Sequence, residues 1–357
     1  MATEPAGAGW RGRGAAINRA GRFESLSIDY DPGEEPGRVR TQFLKDDSQS
    51  IISRHDSPDL PFEASLNPYR GCEHGCAYCY ARPTHEFLGF SAGVDFESRI
   101  LVKHRAAELL EAELRRANYQ PKVLSLSGVT DPYQPVEREL RITRSCLEVL
   151  AAFRHPVGMI TKNHLITRDV DLLAELATHQ AAVAYISITT LDADLARELE
   201  PRASTPRARL EAISVLAAAG VPVGVSVAPM IPGLNDSEIP AILTAAAEAG
   251  ATFAGYTVVR LPFGVKDVFA AWLDRHRPGM REKILGRIAE TQGATLSHGD
   301  FGTRLRGQGI WAEQIRSLFQ VSRNRCGMLL RRPEVSTGAF RCPGGDGELF
   351  DWGGLER

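Results

Sequence analysis

The sequence predicts an α/β protein built on a parallel sheet. Three observations carry that prediction: six short apolar, β-branched runs, amphipathic helical stretches between them, and glycines where two of those stretches stop. The runs are LNPYR (66–70), KVLSLSGV (122–129), PVGMITK (156–162), AAVAYISIT (181–189), VPVGVSVAPMI (221–231) and FAGYTVVRLP (253–262). Between them lie HRAAELLEAELRRA (104–117), RDVDLLAELATH (168–179), TPRARLEAISVLAAAG (205–220) and SEIPAILTAAAEAG (237–250). The last two close in Ala-Gly, where glycine accepts the left-handed turn that ends a helix. Strands that alternate with helices run parallel through right-handed crossovers, which gives either a doubly wound open sheet or an incomplete barrel. Both gather their chemistry at the C-terminal ends of the strands.

Extensions flank this core. Residues 1–60 are rich in Gly, Arg, Asp and Ser and hold no persistent period, so they read as an N-terminal Gly/Arg-rich extension. Its start clusters Arg11, Arg13, Arg19 and Arg22 among small residues, which suits either a flexible arm or a segment pinned to the core by salt bridges. The core spans 61–295 and ends in the helical patterns VFAAWLDRH and MREKILGRIAETQG. Residues 296–357 form an Arg-rich C-terminal extension with one helix, IWAEQIRSLFQV.

Composition narrows the class. With 43% hydrophobic and 24% charged residues the chain buries a large core. No run of about eighteen apolar residues occurs, and the N-terminus lacks the apolar middle of a signal peptide, so a cytoplasmic protein without a membrane partner is expected. A net charge of −2 predicts no attraction of the whole chain to nucleic acid. Locally, Arg304, Arg306, Arg316, Arg323, Arg325, Arg331 and Arg332 face only Glu313 between Phe301 and Arg332. Trp311 and Phe319 are interleaved with them, a pairing of base-stacking rings and cations that suits single-stranded nucleic acid.

The chemistry concentrates in NPYRGCEHGCAYCYARP. Cys72, Cys76 and Cys79 form a C-x3-C-x2-C pattern directly after the first strand, and Cys146, Cys326 and Cys342 are distant in sequence. Closely spaced cysteines on one loop can each ligate a separate iron of a 4Fe-4S cluster, and three ligands leave the fourth iron open. A tetrahedral zinc site completed by His74 or His85 is the alternative metal reading.

This loop, C-x3-C-aromatic-C after strand one of a β/α domain, resembles the signature of radical S-adenosylmethionine (SAM) enzymes, and the six β/α units after it cover residues 65–290. The resemblance implies a partial (β/α)6 TIM-type barrel, a 4Fe-4S cluster whose unique iron binds S-adenosyl-L-methionine, and reductive cleavage of SAM to a 5′-deoxyadenosyl radical. It also implies an electron donor such as flavodoxin or ferredoxin. On that pattern Tyr78 lies against the adenine, and LSGVTDPYQP supplies Ser127, Gly128, Thr130 and Asp131 near the SAM amino group. Ser187 and Thr189, on one face of strand four, are candidates for the ribose. Lys162, Arg202 and Arg260 are candidates for the methionine carboxylate or an anionic substrate.

The stretches TDPYQPVERELRITR and LARELEPRASTPRARLEAI, with the cysteine loop, are similar to the subgroup that includes spore photoproduct lyase and proteins labelled DNA repair photolyases. GRGAAINRAGRFES (12–25) matches an uncharacterised bacterial branch. Spore photoproduct lyase uses a cysteine hydrogen donor near the end of strand two, where this chain has Gly128 and its neighbours; no cysteine lies between Cys79 and Cys146. Three functions are therefore in view. The first is radical SAM chemistry on nucleic acid or a nucleotide-like substrate. The second is the same chemistry on a peptide or small metabolite, although no second cysteine cluster of the kind many peptide-modifying members carry is present. The third is a non-catalytic iron-sulfur or zinc protein that binds nucleic acid.

Overall fold

The computed structural model describes residues 10, 12–23, 39–60, 62–297 and 299–343. Among the described residues there are ten strands: β1 (Gln42–Lys45), β2 (Ile52–Arg54), β3 (Ala64–Leu66), β4 (Tyr69–Arg70), β5 (Arg99–Val102), β6 (Leu124–Leu126), β7 (Val157–Thr161), β8 (Ala182–Ser187), β9 (Val223–Met230) and β10 (Phe253–Val258). Seven of them form the main sheet in the order β10-β9-β8-β7-β6-β3-β2, and β1, β5 and β4 form a small second sheet. Within the main sheet every pair from β3 to β10 is parallel and β2 runs antiparallel against β3, while in the small sheet β1 is parallel and β4 antiparallel to β5. The order never reverses, so the sheet winds in one direction as a barrel does. A doubly wound sheet would have a switch point where the order turns back. The expected incomplete barrel is the fold.

Local signals explain most of the elements. The helix Pro206–Ala218 starts with the Thr205 hydroxyl accepting from the Ala208 amide and has proline in its first turn; that at Ala193–Leu199 starts on the Asp192 carboxylate. Past the ends of Pro206–Ala218 and Ile239–Glu248, Gly220 and Gly250 take positive φ of 78° and 106°. The apolar faces of these helices and of Ile142–Ala152 and Val170–Thr178 cover the sheet, most of whose strand residues are buried. Gly224 of β9 pairs with Phe253 of β10, and a Cβ there would lie 2.2 Å from the phenyl ring, so glycine is what lets the two strands close up.

Two features differ from the sequence reading. The run 66–70 is two strands in two sheets, because Pro68 has no N–H to continue the ladder and restricts Asn67 before it. The segment 39–60 contributes β1 and β2, whose three or four mostly polar residues are too short to give a period. The main sheet is not closed by a strand pair, yet its two sides are bridged. The Val258 amide donates to Leu305 O at 2.9 Å and Arg306 reaches Tyr256 O at 2.8 Å, which lays residues 302–306 along β10. From there Arg304 Nε meets Asp59 at 2.6 Å and Ser57 Oγ accepts from the same guanidinium at 2.6 Å, just beyond β2. The C-terminal segment thus spans the gap in the wall, and the helix Gly309–Arg325 packs on Ile239–Glu248 and Arg281–Thr291.

Candidate functional site

The cysteine loop leaves β4 at Gly71, which has φ of 82° and no room for a side chain: a Cβ would lie 2.9 Å from Phe96 O. Cys72 and Cys76 are buried and Cys79 is half-buried. The loop folds on itself through the Gly75 amide on Cys72 O and the Cys79 amide on Cys76 O. Burial pushes all three thiols above their ordinary value. At Cys72 the Asp131 carboxylate and the other two cysteines push further in the same direction, so the three sulfurs share one electrostatic neighbourhood. The His74 amide donates to the Cys72 sulfur and the Ala81 amide to Cys79. Buried thiols in this state are neutral, and a bound cation is what makes thiolates of them. Three such thiols with N–H groups aimed at sulfur fit an iron-sulfur cluster by the chemistry of the donor set. Among the described residues, no group of three or more His, Cys, Asp or Glu is arranged to hold a single metal ion.

Two buried carboxylates that the sequence reading missed brace this loop. Glu97 pairs with the fully buried Arg82 at 2.6 Å, and Arg82 places Nε and a second nitrogen on Cys76 O at 3.0 and 2.8 Å. Glu73 accepts from the Val136 amide at 2.9 Å and pairs with Arg202 at 3.1 Å. Arg202, read as a carboxylate ligand for SAM, is therefore engaged with Glu73 and the loop; its amide also donates to His74 O.

The residues after β6 and β7 divide. Gly128 has φ of 129°, a conformation that suits glycine, and its carbonyl accepts from Tyr80 Oη at 2.5 Å. Ser127 Oγ turns back to Thr130 O at 3.3 Å. Thr130 donates to Gly71 O at 2.6 Å, tying this turn to the start of the cysteine loop. Asp131 accepts from Thr161 Oγ1 (2.7 Å), the Tyr133 amide (2.9 Å), the Lys162 amide (2.8 Å) and His74 Nδ1 (3.3 Å). Burial would raise its carboxyl pKa, but His74 and the hydrogen bonds outweigh that and hold it below the usual range. A carboxylate has about four acceptor sites. All are filled from within the chain, so Asp131 anchors the loop instead of offering an acceptor to an ammonium group.

A second buried carboxylate network links the loop to β7, β8 and β9. Glu200 accepts from Tyr78 Oη, from Thr189 Oγ1 at 2.6 Å and from Lys162 Nζ at 3.1 Å, and pairs with the buried Arg209. Lys162 also reaches Thr189 Oγ1 and Ala228 O, both at 3.0 Å, and sits 5.7 Å over the Tyr78 ring. Ser187 is buried, with its carbonyl on Arg209. Burial opposes ionisation of Glu200, yet Arg209 and Lys162 hold its carboxyl far below the usual range. Sequence reasoning found Tyr78, Lys162, Ser187 and Thr189 but not Glu200 or Arg209. Their signal was the LEPRAS turn and an arginine on the inner side of a capped helix.

Arg260 differs from the other predicted cations. Its guanidinium stacks 5.0 Å over Tyr80, and among the described residues no carboxylate lies within ion-pair distance of it. Burial lowers its pKa; Tyr80 opposes this and Arg304 adds to it. The stacking rings expected in the C-terminal extension are engaged within the chain: Phe319 is buried against Tyr256 at 4.7 Å, and the half-buried Trp311 carries Arg287 at 3.9 Å and donates Nε1 to Glu290. Cys146 lies buried within the helix Ile142–Ala152. No helix among the described residues is long and apolar enough to cross a membrane.

Comparison with known proteins gives the family and the fold. A family model described as the Radical SAM superfamily matches residues 66–246, just over half of the chain. An uncharacterised protein of Mycobacterium tuberculosis is 40% identical over 223 residues, 61% of this chain and 65% of that protein, so the match spans slightly less than two thirds of the relative. A solved structure of spore photoproduct lyase superposes with a TM-score of 0.57 at 16% identity, over 80% of each chain. Another, complexed with dinucleoside spore photoproduct, gives 0.56 at 15% over 80% of each. At such identity the likeness is one of fold.

Proposed function

Because this chain belongs to the radical SAM superfamily, we propose that Cys72, Cys76 and Cys79 hold a 4Fe-4S cluster with one iron left open for the amino and carboxylate groups of SAM. The observation that carries this reading is the loop itself, with three thiols, two buried and one half-buried, in one electrostatic neighbourhood at the C-terminal ends of the barrel strands. Membership makes the chain an enzyme of open reaction type, so the non-catalytic reading lapses. When bound and reduced, such a cluster supplies the electron that cleaves SAM to methionine and a 5′-deoxyadenosyl radical able to take hydrogen from a substrate. The chain's own part is to orient and to shield. Glu200 fixes Tyr78 and Lys162 beside the loop, Gly128 lets the backbone come close, and Ser187 and Thr189 line the same end of β8. The reductant is a flavodoxin or ferredoxin.

The substrate is nucleic acid or a nucleotide-like molecule. Exposed rings around the end of β10 each carry an arginine: Arg260 over Tyr80, Arg304 over Phe301 at 4.5 Å and Arg22 over Phe263 at 3.8 Å. Bases stack on such rings, and Arg260 is the guanidinium left to meet a phosphate, since Asp59 holds Arg304 and Glu86 holds Arg22. The spore photoproduct lyase neighbour was solved with a dinucleoside, which is in keeping with this reading.

Anaerobic reconstitution should give roughly four irons per chain and, with dithionite and SAM, release 5′-deoxyadenosine; Cys76→Ala abolishes both. Full iron loading without SAM cleavage rejects the radical SAM activity. For the substrate, binding of a single-stranded oligonucleotide should weaken with salt, and Arg260→Gln should reduce the slope by about one phosphate contact. Salt-independent binding, or none, rejects nucleic acid.

A further inference from the structure

The N-terminal arm is not a loose extension where it meets the core. Trp10 and Ala15 are buried with Val94 and Val268, which anchors the segment at both ends. Between them Gly14 lies directly against the cysteine loop: a Cβ there would sit 1.7 Å from Gly75 O and 3.2 Å from the Ala77 amide nitrogen, on either side of Cys76. Gly75 is equally confined, with φ of 67° and Glu97 Oε2 2.5 Å from where its Cβ would be. The Glu97 carboxylate fills the space between these two backbones. It accepts from the Gly14 amide at 3.0 Å, the Ala15 amide at 2.7 Å and Arg82 at 2.6 Å, while Arg82 holds Cys76 O. A continuous run of hydrogen bonds therefore joins residues 14–15 to the backbone of the second cysteine.

The neighbouring Arg13 reaches the other brace. Its guanidinium donates to Glu97 O at 2.5 Å, Val39 O at 2.9 Å and Thr41 Oγ1 at 3.0 Å. Thr41 Oγ1 also accepts from Arg202 at 3.1 Å and donates to Glu73 at 3.0 Å, using one donor and two acceptor positions as a hydroxyl can. Glu73 and Glu97, the two carboxylates that flank the loop, are thus tied together by residues 13–15 and Thr41.

We propose that residues 12–15, anchored by Trp10 and locked through Glu97, are a strap that holds the cysteine loop in the conformation able to receive a cluster, with Glu97 as the positioning residue. This rests on the reading of the three cysteines as cluster ligands. A cluster needs its ligands presented at fixed places, and groups that orient metal ligands from behind change metal affinity by about 10- to 100-fold when removed. The strap fills that role with a segment far from the loop in sequence.

The test uses the full chain with Gly14→Ala, which forces residues 14 and 75 apart, and separately Glu97→Gln, which keeps the shape and removes the charge. Two readouts are taken: hydrogen exchange of amides 71–80 in the metal-free protein, and loss of iron to a chelator after reconstitution. In Gly14→Ala, loop amides exchange faster while those of β7 and β8 are unchanged, and iron is lost about tenfold faster or more. If loop exchange and iron loss both match the wild type, the strap is overturned. If the wild type itself takes up no iron, the cluster reading has failed, and hydrogen exchange alone decides the strap: faster loop exchange supports it and unchanged exchange refutes it. Gly14→Ala keeps the test open should Glu97→Gln fail to fold.

Discussion

Replacement of Glu200 by glutamine tests the charge network behind Tyr78. The Glu200 side chain is fully buried, facing Arg209 and Lys162 and accepting from Thr189 and Tyr78. Glutamine keeps the volume but leaves two cations without their counter-charge, one fully buried and one nearly so. Breaking a buried pair from one side costs about 3–5 kcal/mol. With an unfolding entropy of about 2.1 cal/mol/K per residue over 357 residues, each kcal/mol is worth roughly 1.3 °C, so Tm should fall by about 4–7 °C at pH 7. The pH dependence carries a sign. The folded-state pKa of Glu200 is depressed, because Arg209 and Lys162 outweigh the burial that would raise it. Its stabilisation is therefore complete above the ordinary carboxyl value of 4.5 and is lost as pH falls through the lower folded value. The gap in Tm between wild type and Glu200→Gln should be constant from pH 7 down to about 5 and narrow below 4.5. Calorimetry across that range is the assay. A Tm change under about 1 °C at pH 7, or a gap that widens in acid, would refute the reasoning.

Other perturbations read other parts of the chain. Gly224→Ala drives a methyl into the Phe253 ring and should cost about 1–3 kcal/mol of overpacking, measured as a drop in denaturation midpoint; no loss would mean that β9 and β10 separate freely. Asp59→Ala removes the partner of Arg304 and of the Gly302 amide and should destabilise by about 2–3 kcal/mol, with faster hydrogen exchange along β10 as its local signature. Trp311→Ala, which loses a stack with Arg287 and a hydrogen bond to Glu290, should leave the salt slope of oligonucleotide binding unchanged; a reduced slope would return nucleic-acid contact to the C-terminal helix.

Most of the barrel was legible because its signals are local. Apolar β-branched runs, capped helices and the glycines at 220 and 250 each declare themselves within a few residues. The single winding of the sheet was not, since both candidate architectures share the same alternation and differ only in strand order. At the site, the cysteine spacing located the loop, and the strand-end rule found Lys162, Ser187 and Thr189. Glu73, Glu97 and Glu200 escaped because an acid in a short loop or among other surface-type charges carries no local sign that it will be buried. Their partners Arg202, Arg82 and Arg209 become visible only once the chain is folded. Asp131 shows the complementary limit: its place after β6 is local, but its four donors come from three separate segments. The arginines of the N-terminal arm allowed two readings, and Arg13 resolves them through partners up to 84 residues away.

The bridge across the open side of the barrel also orders events in time. Its two halves, residues 57–59 and 302–304, are separated by some 245 residues, so their meeting closes one of the longest loops among the described residues. During synthesis the chain emerges from its N-terminus, and the cysteine loop with all six parallel strands is complete before Gly302 appears. The interior at the strand ends therefore stays open at the side until residues 302–306 arrive to bridge it.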